Sequence, residues 1–172
     1  MTSCISRTNQ LIHASIGLAL TIISLVLFRG TTSIVSFILI PVILAYFSQN
    51  KLMKRILMTA FLIVVLLVAQ TQLIFAVTYI LLTNLYKPLF SRKITKTHFA
   101  LTIVSVMFSL IVSLMLTEWL FQVPIHSMML ELSNHIISIY VAIIFLESIF
   151  IVGCQLTIIY QLKKRLAHQR LF

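Results

Sequence analysis

The side chains able to do chemistry in this chain are few. Its 172 residues include three acids, Glu118, Glu131 and Glu147, with no aspartate, five histidines and two cysteines. Without Asp there is no aspartate dyad, aspartyl phosphate or Asp-assisted triad, and three scattered glutamates cannot build a carboxylate-bridged metal centre. The most ligand-like group is His126, Glu131 and His135, because Glu131 and His135 stand one helical turn apart. An acid and a histidine at that spacing also form an ordinary contact on a solvated helix face, and nothing in the pattern asks for a metal. Cys4 and His13 fall on the same side of the first apolar run, but their separation matches no nucleophile and base pattern. Three glycines leave no phosphate-cradling loop. No catalytic, cofactor or metal site is assigned, and the chain is read as a non-enzyme.

Two helix faces carry more than hydropathy. Ser105, Ser109, Ser113 and Thr117 recur every four residues, a small, hydroxyl-bearing stripe of the kind that lets helices approach closely in lipid. It serves either as a packing seam or as a polar path for a solute. Glu147 stands in the middle of an apolar run, where a carboxylate is costly and needs a partner or a cavity. Three states are open for it: a protonated carboxyl bonded within the bundle, a pair with a partner protein, or a group that titrates during transport. At a rise of about 1.5 Å per residue, Glu147 shares a depth with Ser109 and Ser113. The first state therefore predicts a hydrogen bond from Glu147 to the Ser105 to Thr117 stripe or to Thr21.

The elements that must position these groups follow from composition. Sixty per cent of the residues are apolar and 9 % are charged, and apolar runs recur along the whole chain, which no soluble core requires. Residues 1–172 are read as one all-α integral membrane domain. The formal net charge of +10 suggests nucleic acid in a soluble chain. Here the cations sit in short loops beside apolar runs, where anionic head groups are the nearer partner, so Lys87, Arg92, Lys93, Lys96, Lys163, Lys164 and Arg165 are assigned to the lipid surface and no nucleic-acid partner is expected.

The stretch from Ile56 to Tyr86 is uncharged and lies between Lys51, Lys54 and Arg55 on one side and Lys87, Arg92, Lys93 and Lys96 on the other. A single helix would place one basic cluster outside, against the tendency of Lys and Arg to stay cytoplasmic. Two short helices turning at Gln70 to Gln72 keep both inside. Around this hairpin the pattern predicts helices over Leu11 to Phe28, Ser33 to Phe47 with a kink at Pro41, His98 to Phe121 and Ile136 to Leu162. That makes six spanning helices, with both termini and all but Arg29 of the 13 Lys and Arg on the cytoplasmic side. No cleavage site follows the first run, so it is read as a retained helix. Pro124 and the spacing of Ile125, Met128, Met129, Leu132 and Ile136 predict a short amphipathic helix on the outer surface, with Glu131 facing water.

This layout of six helices, short hairpin, basic loop at Lys87 to Lys96 and outer amphipathic segment resembles the small bacterial membrane proteins of the S-component-like fold. These include S subunits of energy-coupling-factor transporters, YybS-like proteins and the rod-shape protein MreD. The resemblance implies an inner-membrane subunit that works with a membrane-protein partner, and it transfers no functional residue to a numbered position. Two functions follow: a non-enzymatic, MreD-like subunit of an envelope assembly, or a solute-binding transport subunit whose outer pocket would use Glu118, Trp119, His126, Glu131, Asn134 and His135.

Overall fold

The computed structural model describes residues 2–27, 34–48, 51–91, 95–134 and 136–169. Among them every regular element is a helix, as the apolar periodicity predicts. The elements are α1 (Thr2–Leu27), α2 (Ile34–Phe47), α3 (Lys51–Val68), a 3₁₀ turn (Gln70–Gln72), α4 (Leu73–Ser91), α5 (Lys96–Phe121), α6 (Ile125–Leu132) and α7 (Ile137–Gln169). Two of them, α5 and the 137–165 part of α7, are long and apolar enough to cross a membrane. By contrast, the 14 residues of α2 rise only about 21 Å, so helix length and composition alone support two of the six expected spans.

The chain reverses where the hairpin was expected. Ala69 leaves the helical region (φ −146°, ψ 63°) and one 3₁₀ turn carries the chain into α4. Lys54 and Asn84 are equally far from Ala69 in sequence, and the Lys54 ammonium donates to Asn84 Oδ1, which closes the open end of the hairpin.

At the centre is α2, packed on α1, α3, α4 and α7. It is apolar on every side and hence buried. Phe37 meets Phe75 and Tyr79 edge-on at 5.9 and 4.9 Å, and Tyr46 meets Phe90 at 6.0 Å. Two contacts in the same sequence order show that α2 and α4 run in the same direction.

Pro41 has a consequence beyond a kink. It has no N–H, so the carbonyl of Phe37, one turn earlier, loses its helical donor. Gln155 of α7 replaces that donor: its Nε2 donates to the Phe37 carbonyl at 2.7 Å, and the Tyr86 hydroxyl of α4 donates to its Oε1. Gln155 and Tyr86 are both completely buried. One amide thus joins α2, α4 and α7.

Most other polar groups described in the interior are used up in similar fashion. Thr21, Thr83, Thr117 and Ser148 bond carbonyls of their own helices, while Thr78 and Ser113 share a hydrogen bond of 2.7 Å between α4 and α5. Large apolar side chains face outward instead, among them Leu11 and Ile23 on α1, Leu67 on α3, Phe108 on α5 and Leu146 on α7.

Candidate functional site

Of the expected outer-pocket residues, Glu118 and His126 come together where α5, α6 and α7 meet. Two left-handed residues, Gln122 (φ 53°) and Asn134 (φ 50°), turn the chain before and after α6. The N–H groups at the start of α6 lack partners inside that helix, and an anion there satisfies them and complements the helix dipole. Glu118 supplies it: its Oε2 accepts the Ser127 N–H at 2.9 Å. The carboxylate therefore docks the surface helix on the end of α5.

The remaining pocket candidates divide. His126 is half-buried, its ring edge-on to Tyr140 at 5.4 Å. Trp119 is 76 % exposed, and Glu131 and Asn134 are exposed. His135 lies outside the described residues. Among the described residues no group of three His, Cys, Asp or Glu is placed to hold a metal ion. Tyr140, absent from the expected pocket, is 6 % exposed and its hydroxyl has no hydrogen-bond partner among the described residues.

As expected, α6 buries one face: Ile125 is in the core, Met129 and Leu130 pack against it, and Glu131 is exposed. Met128 and Leu132 are exposed, which agrees with apolar residues expected to turn to the membrane or the bundle. The hydroxyl stripe of α5 turns inward, with Ser113 and Thr117 fully buried. Its partner is α4, through Thr78, and not Glu147.

Glu147 corrects the expectation drawn from depth. The buried face of α7 is Ile144, Ser148, Ile151, Val152, Gln155 and Ile159; Glu147 is half-buried on its flank and makes no hydrogen bond or ion pair among the described residues. The expected bond to the Ser105 to Thr117 stripe or to Thr21 is absent because equal depth does not fix rotation about the helix axis; Thr21 donates to the Gly17 carbonyl instead. With no internal bond to lose, Glu147→Gln should leave the thermal midpoint of the isolated chain in detergent unchanged. Glu147→Leu should leave it unchanged or higher, since it removes an acid from an apolar run. A fall of several degrees in the Leu variant would restore an internal partner.

The basic residues are seen in part. Lys96, Lys164 and Arg165 are exposed and Lys163 is half-buried; Arg92, Lys93 and the side chain of Lys87 lie outside the described residues.

No protein-family model, curated protein or solved structure matches the chain.

Proposed function

We propose that the chain is a multi-pass, non-enzymatic subunit of an assembly in the cell inner membrane, MreD-like in kind, with both termini and its basic loops on the cytoplasmic side. The observation that supports this reading is its polarity. Apart from the Tyr140 hydroxyl, interior hydroxyls and the Gln155 amide bond one another or backbone carbonyls, while α1, α3, α5 and α7 turn large apolar side chains outward. Soluble monomers rarely expose apolar patches beyond a few hundred Å², whereas lipid requires such a surface and favours interiors with small, internally bonded polar groups. A bundle whose polar groups are consumed in this way offers little with which to grip a solute, and its contribution lies in contacts with a membrane-protein partner. Anionic head groups then neutralise Lys87, Arg92, Lys93, Lys96, Lys163, Lys164 and Arg165.

Two measurements test this. In a background lacking Cys4 and Cys154, Ser91→Cys should resist an impermeant maleimide in intact cells and react after permeabilisation; labelling in intact cells overturns the orientation. Purification from mild detergent should recover an integral membrane partner, and recovery of the chain alone overturns the subunit role. The second reading, a solute-binding transport subunit, is favoured by one observation: the buried, unpartnered hydroxyl of Tyr140 beside α6.

A further inference from the structure

Tyr140 differs from the other interior polar residues. Thr78 and Ser113 answer each other, and Gln155 is bonded at both ends of its amide, whereas the Tyr140 hydroxyl presents an unused donor and acceptor at a buried position. Its ring stands against His126, and Glu118 lies within electrostatic range. Glu118 is held in place by the Ser127 N–H, and a carboxylate has about four acceptor sites, so the bond to Ser127 leaves capacity for a second donor. The surroundings are anionic. Glu118 and Glu131 are two of the three acids in the chain, and no Lys or Arg occurs between Lys96 and Lys163.

We propose that this corner of α5, α6 and α7 binds a primary ammonium group, with Glu118 as its counter-ion, the Tyr140 hydroxyl as hydrogen-bond acceptor and the His126 and Tyr140 rings as its walls. The inference rests on the solute-binding reading and names its ligand class. A carboxylate beside aromatic rings suits an organic cation, while a metal ion would need more ligands than one Glu and one His. Only an ammonium with N–H groups can also satisfy the phenol oxygen, which sets a primary amine apart from a quaternary one. A free amine solute and an aminophospholipid head group share this chemistry.

The single tryptophan, Trp119, adjoins Glu118 and reports on the corner. The full chain in detergent is titrated with ethanolamine and with choline, following tryptophan fluorescence. It is then reconstituted in nanodiscs of phosphatidylethanolamine or of phosphatidylcholine. A saturable response to ethanolamine with a response to choline at least tenfold weaker identifies a free amine. A spectral difference between the two nanodiscs, without a response to ethanolamine in detergent, identifies a head group. Either supports the site; equal responses to ethanolamine and choline, or none in any arm, overturn it. Tyr140→Phe should weaken binding tenfold or more while leaving the thermal midpoint of the ligand-free protein unchanged or raised, because it removes an unbonded hydroxyl. A lowered midpoint means that the hydroxyl has a partner within the chain, and the site falls. Since Ser91→Cys labelling reads orientation separately, a failed topology leaves the binding result standing, and the reverse also holds.

Discussion

Gln155→Leu is expected to destabilise the folded chain by about 2–4 kcal/mol, the sum of two buried polar groups left without partners at about 1–3 kcal/mol each, reduced by the damping seen between membrane helices. The groups are the Phe37 carbonyl and the Tyr86 hydroxyl. Tyr86→Phe, which leaves only one amide oxygen unbonded, should cost about 1 kcal/mol. The sharper test uses Pro41. In Pro41→Ala the alanine N–H can donate to the Phe37 carbonyl itself, so Gln155→Leu in that background orphans only Tyr86. The cost of Gln155→Leu should therefore fall by about 1 kcal/mol, a coupling that a double-mutant cycle in mixed micelles resolves. Additive costs would show that Gln155 acts by filling space and not by replacing the missing helical donor.

What was legible in the sequence were features set by neighbours along the chain. The turn at Gln70 to Gln72 follows from an uncharged run flanked by cations, and α6 from Pro124 with apolar residues at helical spacing; the turn and α6 both fall at the expected residues. What was not legible depends on rotation and on partners far away in sequence. Pro41 signals an orphaned carbonyl, but its donor is 118 residues from Phe37, and nothing local distinguishes Gln155 from a polar residue near the end of a span. Depth counting put Glu147 beside the α5 stripe; the packing of Ile144, Ser148 and Ile151 then fixed the rotation of α7 and left Glu147 at the flank. At the α5 to α7 corner the sequence located Glu118 and His126 but missed Tyr140, because an aromatic residue in an apolar run carries no sign that its hydroxyl is unbonded.

The same substitution at two glycines should change sign. Alanine in place of a helical glycine ordinarily stabilises by about 1 kcal/mol. At Gly153, where an added Cβ meets nothing within 4 Å, Gly153→Ala should show that gain. At Gly17 the new Cβ would lie 2.7 Å from Phe47 Cγ and 2.8 Å from Phe47 Cβ. Those atoms sit at the root of the side chain, so rotating the ring cannot clear them; α1 and α2 must separate. Gly17→Ala is therefore expected to cost about 1–3 kcal/mol, the range for overpacking a closed contact. Removing the obstacle should reverse the result: in a Phe47→Gly background, which removes both the Cγ and the Cβ, Gly17→Ala should become neutral or stabilising, because only the helix propensity term remains. If Gly17→Ala stabilises the chain when Phe47 is intact, α1 is not seated on α2 at this contact, and the central position of α2 loses one of its four neighbours.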